Sequence, residues 1–535
     1  MEDQSRGSLR KLAKARAGFI TEIDDLGDDL MQNILSRLPA LYFAWAACVS
    51  RSWNALCNRI LSSPKLSSAV SFNSSLENAV NEVMDKVLSE PIRPHFALAS
   101  IGPHFSLQSA LELIDAKLGS SIPVIVNVSE GIIGKDAHTE QFVEVLWEVT
   151  EEQEGQPPEE TNRGIILTVG FLPGLKALIV PLLCRKKVKS YNGLSLVVIR
   201  CTQEQGPQGH LIDDFVMSIR EVASAVSDSA VPAGVILFAD RKANVKLILQ
   251  KIDYAFPEDT FVVGDGGSPF LYRCHRRSDN TSLPDSICAA VSLVFARDRN
   301  KPLGVGETQF HTMFSAGISP VGNTYKAVCA KCIKSSTWLT ASRETVRNPL
   351  DGQAILDEIY DELGDRIQYP AFYIGVTKRR KCSVRMERVR QMQFLEFHEV
   401  LGGDEEYLFA NSVGITTTDP FRFYISDSKL ALSSCNKVGD ELRELKMDCE
   451  KRRVFGGIIF SCCGRGESFF RSAGVDSAPF ISNFPGVAFG GSYCAGEIGR
   501  AKSSLYGGDS EVSCSEHVYS AIYLVMSYCP PPQLE

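Results

Sequence analysis

The chain has no run of about 20 uninterrupted apolar residues, the length that a membrane-spanning helix requires. Its nearest approach, residues 164–184 (GIILTVGFLPGLKALIVPLLC), is broken by Gly170, Pro173, Gly174, Lys176 and Pro181. That pattern excludes a lipid-exposed helix and predicts two buried strands joined at a Pro173–Gly174 turn. Basic charge is also short. There are 56 Lys and Arg against 64 Asp and Glu, a net charge of −8. With a pI near 5.7, the sequence lacks the basic field of a generic nucleic-acid binder. The 16 cysteines in 535 residues amount to about 3%, below the roughly 8–10% of disulfide scaffolds. The opening MEDQSRGSLRKLAKARAG has no apolar core and does not read as a secretory signal, so the thiols are expected to stay reduced. A soluble intracellular protein is expected, cytoplasmic, with nuclear access left open by short basic clusters at 185–189 and 378–381.

Catalytic and repeat signatures are equally scarce. Asn127-Val-Ser129-Glu-Gly131 has asparagine where a nucleophile elbow needs glycine. There is no Gly-x-x-x-x-Gly-Lys phosphate loop, and His398-Glu399 lacks the second histidine of a zinc-protease helix. Cys329-Ala-Lys-Cys332 is one zinc half-site without a partner pair, so incidental thiols are the simpler reading. Cys462 with His517 would form a thiolate pair only if the fold brought them together. No leucine-rich, tetratricopeptide or propeller period appears. These gaps predict a chain without catalytic residues, metal or cofactor.

What the chain does contain is ordinary globular composition, 44% hydrophobic and 22% charged, and enough length for more than one core. Residues 1–19 read as a flexible basic tail. From residue 20 to about 66 the pattern is helical. Leu26, Leu30, Ile34 and Leu38 recur four apart beside Met31 and Leu35, giving one apolar stripe. Asp28 and Asp29 suit the first turn, and Pro39 stops the helix. A second helix carries Trp45. In a third, Trp53, Leu56, Cys57 and Ile60 share a face with Ser50 as amino cap. So small an all-α module buries little by itself, and a leftover apolar face needs a partner.

The remaining body alternates strand and helix patterns and predicts an α/β fold, with α+β the alternative. One unit recurs three times: apolar strand, polar loop, helix-sized stretch, second apolar strand, Gly-rich turn. It runs from 96–101 to 123–131, from 235–239 to 260–267, and from 458–460 to 485–491. The strands begin roughly 25–30 residues apart, the size of a βαβ unit, which predicts parallel pairing. Sites in such sheets form beyond the carboxyl ends of strands, here at 129–131, 265–267 and 461–465. Loops are expected at 149–163, 273–284 and 341–352, the last dividing the body into parts at 70–340 and 350–529; 530–535 is a tail. In the second part, Cys462, Gly464 and Arg465 share one loop, Glu497 lies next to Gly496, and Glu516-His517-Val-Tyr follows. Arg465 has the geometry to grip a carboxylate or phosphate. An internal Arg465–Glu497 ion pair is the structural alternative.

Two resemblances emerge from these residues. Leu26-Gly-Asp-Asp-Leu30-Met-Gln-Asn-Ile34-Leu35-Ser-Arg-Leu38-Pro39, followed by Cys48-Val49-Ser50-Arg51-Ser-Trp53, resembles an F-box. Gly27 stands where that family usually has proline, a departure that bears on adaptor affinity. The resemblance implies docking of Leu26, Leu30, Ile34, Leu35, Leu38, Pro39, Val49 and Trp53 to a Skp-type adaptor, and through it to a cullin scaffold. Cys462-x-Gly464-Arg465 and Gly496-Glu497-Ile498-Gly499 are similar to the carboxyl-terminal FIST domain, a sensor module named for F-box and intracellular signal transduction proteins. Residues 123–134 and 164–173 resemble its amino-terminal counterpart. The order implies a substrate receptor of an SCF-type ubiquitin ligase, with the body recruiting an unidentified protein for degradation. It also implies a pocket for an amino-acid-like ligand at Cys462, Gly464, Arg465, Gly496, Glu497 and His517. The alternative is a ligand-sensing module whose F-box is vestigial.

Overall fold

The computed structural model describes residues 26–147, 162–185, 187–191, 194–198, 207–274, 286–343, 349–364, 371–411, 413–447, 452–502 and 512–531. The expected basic tail and most of the expected loops at 149–163 and 273–284 lie outside the described residues. So do 344–348 and the last four residues. The chain divides into two compact units. One comprises residues 26–64 with Leu88–Arg93, and the other Lys65–Val87 with the chain from Pro94 onward.

The first unit holds three helices: α1 (Asp28–Leu35), α2 (Ala40–Ala46) and α3 (Arg51–Leu61). Asp28 and Asp29 occupy the first turn of α1, where carboxylates complement the helix dipole. Pro39 takes the amino-cap position of α2. The Ser50 hydroxyl accepts the Trp53 amide at 3.2 Å and caps α3. The core is small: Met31 and Leu35 from α1, Phe43 and Ala46 from α2, Leu56 and Cys57 from α3.

Three sheets of five, six and six strands build most of the second unit. Each contains one parallel pair, and each pair is one of the three expected βαβ units. Phe96–Ile101 runs parallel to Val124–Val128, Gly234–Ala239 to Phe261–Asp265, and Arg453–Cys462 to Ala488–Cys494. The crossovers contain helices Leu107–Leu118, Val245–Ala255 and, in the third, the short Glu467–Phe470 and Ala478–Asn483. Strands such as Phe96–Ile101 and Ile165–Phe171 are buried along their whole length. Such unbroken apolar runs arise where both faces of a sheet are covered. Pro173–Gly174 does join two strands, Ile165–Phe171 and Leu175–Arg185, but they belong to different sheets.

After its second strand, each βαβ unit sends its next strand into a neighbouring unit's sheet. Gly131–Lys135, trailing the first unit, pairs antiparallel with the third unit's Ala488–Cys494. Phe270–Arg273, trailing the second, pairs with the first unit's Val124–Val128. Glu497–Lys502, trailing the third, pairs with the second unit's Phe261–Asp265. The exchange is cyclic. It encloses one apolar core fed by all three sheets, including Phe96, Ile125, Phe238, Val263, Phe460 and Leu524.

The fourth sheet is a closed ring. Strand Ile318–Ile333 pairs with Pro420–Ser426 on one side and Ser336–Arg343 on the other. Phe372–Cys382, Arg390–Gly403 and Leu408–Asn411 complete the circuit. Helix Gly352–Leu363 contributes Ile355, Leu356, Ile359 and Leu363 to the core of this barrel, so the expected divide at 341–352 falls inside it.

Candidate functional site

On the three-helix unit, burial separates two sets of apolar residues. Met31 and Leu35 are 3% and 1% exposed, whereas Leu30 and Ile34 are 58% and 46% exposed. Tyr42, Trp45 and Val49 also stand in solvent, and the Tyr42 and Trp45 rings meet edge-to-face at 5.4 Å. Large apolar side chains left exposed together mark interaction surfaces more often than chance. Of the expected adaptor contacts, Leu30, Ile34, Pro39 and Val49 are exposed, and Leu26, Leu38 and Trp53 are half-buried. Leu35 is turned inward against Met31 and Phe43; with its side chain filling the core, it supports the docking face and cannot form it. Tyr42 and Trp45 were missed as surface residues because a short helix with an aromatic every third residue reads equally well as core.

In the body, the loops at the carboxyl ends of the three parallel pairs meet. The Glu130 amide donates to the Tyr493 carbonyl at 3.0 Å, the Gly266 amide to Gly496 at 2.7 Å and the Cys463 amide to Cys494 at 2.9 Å. Arg241 ties two of these loops, donating to Glu130 Oε1 at 2.8 Å and to the Gly267 carbonyl at 2.7 Å. The three loops singled out as strand-end site positions, 129–131, 265–267 and 461–465, thus lie together, a convergence that the sequence does not predict.

The individual roles differ from expectation. Arg465 is fully buried and does not pair with Glu497. Its guanidinium grips Asp476 in two places, with Nη2 2.6 Å from Oδ1 and Nε 3.0 Å from Oδ2. Nη1 donates to the Tyr519 carbonyl at 2.9 Å, Nη2 to Ser315 Oγ at 3.1 Å, and the Phe470 ring lies 5.1 Å from the guanidinium carbon. A guanidinium so occupied is a structural bolt rather than a ligand anchor. Glu497 accepts from the Ser520 amide and hydroxyl, both at 2.9 Å. Burial pushes its carboxyl up to about 8, so at neutral pH it is mainly protonated. Burial holds His517 down at about 4, and its Nε2 lies 2.9 Å from the Gly499 carbonyl. Neutral imidazole donates there through Nε2–H. The Cys462 thiol is itself raised, by its hydrogen bond with Cys463 and by burial, opposite to what a nucleophile needs. Gly464 has no room for a side chain, since a Cβ there would lie 2.7 Å from the Tyr519 ring.

A cavity of about 110 Å³ opens beside two of the expected pocket residues, Gly496 and His517. Lys246 and Glu516 face it across the apolar walls of Phe394, Phe397 and Val518. Glu516 and His517 are neighbours in sequence, yet only the histidine drew notice, because nothing local signals that a carboxyl will face a cavity built by distant segments. Elsewhere, Cys329 and Cys332 lie on one extended strand, Ile318–Ile333. Three residues there span roughly 10 Å, too far for one tetrahedral ion, and no metal-binding cluster occurs among the described residues. The basic cluster at 378–381 is half consumed: Lys378 pairs with Asp419 and Arg380 with Glu396 at 3.1 Å. The cluster at 185–189 lies outside the described side chains. No described helix is long and apolar enough to cross a membrane.

Comparison with known proteins gives the class of the first unit: residues 23–62 match the F-box domain. An F-box/LRR-repeat protein of Arabidopsis thaliana is 40% identical over 538 aligned positions, covering 99% of this chain and 98% of that protein. The chain belongs to the F-box protein family. The body that follows is sheet-rich and mixed α/β, its described strands lying in the four sheets above and in a two-stranded ribbon of Lys187–Tyr191 with Leu194–Val198.

Proposed function

We propose that this protein is a substrate receptor of an SCF-type ubiquitin ligase. The F-box docks a Skp-type adaptor joined to a cullin scaffold, and a FIST-type body captures the protein to be modified. The observation that carries the reading is the exposed set Leu30, Ile34, Tyr42, Trp45 and Val49 on the three-helix unit. An adaptor surface would bury these side chains, which a unit of this size cannot bury itself. The mechanism is proximity. Holding a target beside the transfer site raises its effective concentration, with no chemistry performed by this chain. We place this activity in the cytoplasm, with access to the nucleus.

The test is adaptor recovery in a pull-down from wild-type chain and from Leu30→Ala/Ile34→Ala. Truncating two such anchors should weaken capture by roughly 10- to 100-fold. Equal recovery from both would remove the reading. A second reading, recognition of a small ligand by the body, is favoured by the cavity between Lys246 and Glu516. It adds to the first, since a ligand there would govern target capture, and it stands alone if the F-box is vestigial.

A further inference from the structure

The cavity between Lys246 and Glu516 is lined by one carboxyl that no described side chain or backbone amide hydrogen-bonds. Lys246 is engaged: its ammonium lies 3.7 Å from Glu396 Oε2 and 3.4 Å from His398 Nδ1. Glu396 is engaged in turn by Arg380 at 3.1 Å and by the Gln250 amide at 3.3 Å. Among the described residues none donates a hydrogen bond to the Glu516 carboxylate. The backbone makes room for that carboxylate deliberately: a Cβ on Gly496 would overlap Glu516 Oε1, and one on Gly266 would lie 2.8 Å from it. Lys246 acts on it only at longer range, and Asp265 adds a like charge nearby. A carboxylate facing a cavity without a donor is costly unless a ligand or solvent supplies one.

We propose that this cavity binds a small primary ammonium with a short apolar body. Three donors on a compact cation match the open lone pairs of Glu516. Phe394 and Phe397 offer aromatic surface to the cation and its alkyl tail, and Val518 closes the apolar side. About 110 Å³ suits a molecule of a few heavy atoms, since roughly 10–15 Å³ of such space admits one water. A quaternary ammonium carries no N–H to donate to Glu516. The assignment rests on the ligand-binding reading of the body and is independent of adaptor docking.

Thermal unfolding of the full-length chain tests it, with n-propylammonium chloride, sodium propionate and choline chloride compared at matched ionic strength. n-Propylammonium should raise Tm saturably by a few degrees, as any ligand selective for the folded state does, while choline leaves Tm at its salt baseline. Glu516→Gln should abolish the shift without lowering the ligand-free Tm. Val518→Phe, which fills the cavity from its apolar side and leaves Glu516 intact, should abolish it too. A shift by n-propylammonium that persists in Glu516→Gln overturns the assignment. A response to propionate alone overturns the ammonium class while leaving a ligand-binding body, with Lys246 as its anchor. No response to either ion overturns both.

Discussion

Asp476 holds Arg465 by two of its three nitrogens, wholly out of contact with water. The same carboxylate accepts from Ser461 at 2.6 Å, and the Asp476 carbonyl accepts from the Tyr523 hydroxyl at 2.7 Å. One ion pair therefore joins the 461–466 loop, the 471–477 turn and the strand Ala521–Cys529. Removing one partner of a buried pair strands the other charge. Arg465→Met should cost about 3–5 kcal/mol of stability, read from urea unfolding. A loss below about 1 kcal/mol would show that water enters to solvate Asp476.

Stability should depend on pH in a definite direction. Between about 4.5 and about 8, Glu497 holds a proton in the folded chain that the unfolded chain has released. Stability therefore falls as pH rises through that window. Glu516, raised by burial to about 7, acts in the same sense over the lower part of it. His517, held near 4, acts oppositely, but only below about 6.5, where the unfolded imidazole protonates first. From pH 6.5 to 8 the carboxyls dominate, and stability should drop by roughly 1 kcal/mol per pH unit. Glu497→Gln should make that slope shallower, and an unchanged slope in the variant would assign it to other groups.

Gly27 caps α1 with φ −48 and ψ 157, and a Cβ placed there meets nothing within 4 Å. Those angles lie close to what a pyrrolidine ring imposes. Gly27→Pro should stabilise the F-box by about 0.4–1 kcal/mol, by narrowing the unfolded ensemble. Hydrogen exchange of the Leu30 and Met31 amides, both bonded to the Gly27 carbonyl, should slow accordingly. Faster exchange would mean that proline disturbs the preceding residue.

Thiol reactivity should single out Cys463 over its neighbour. Cys463 is exposed, and its thiol is lowered by the hydrogen bond from Cys462. Cys462 is raised, and the buried Cys494 and Cys514 are likewise raised by desolvation. Limited iodoacetamide labelling at neutral pH, mapped by peptide mass, should modify Cys463 before these three. Preferential labelling of Cys462 would revive the case for a nucleophile there.

Much of the local architecture was legible. Buried strands such as Phe96–Ile101 read as unbroken apolar runs, and their spacing from a second run marked each parallel pair. The three-helix unit was legible from its stripe and caps, because Ser50 and Pro39 act within one turn of where they stand. Which of the stripe residues face outward was not, since Leu30 and Leu35 are alike as letters and differ only in what α3 packs against. The cyclic exchange was hidden for a related reason. The short strands Gly131–Lys135 and Phe270–Arg273 choose partners hundreds or scores of residues away, and nothing in five residues encodes that choice. Arg465 illustrates the same limit at a site. Two carboxylates, Asp476 and Glu497, were within reach of its loop, and only the path of the chain through 471–477 decides between them.

The exchange of trailing strands sets a schedule for synthesis. Its first sheet is complete once residue 273 has emerged, but the second waits for 497–516 and the third for 521–529. At about 5–20 residues per second, the interval between Arg297 and Cys529 lasts roughly 10–50 s. Throughout it, the inner faces of Gly234–Ala239, Phe261–Asp265 and Gly131–Lys135 lack their lids. A nascent chain with such faces uncovered should be aggregation-prone and should depend on chaperones during synthesis. The second and third sheets therefore close only after the strands within 497–529 have been made.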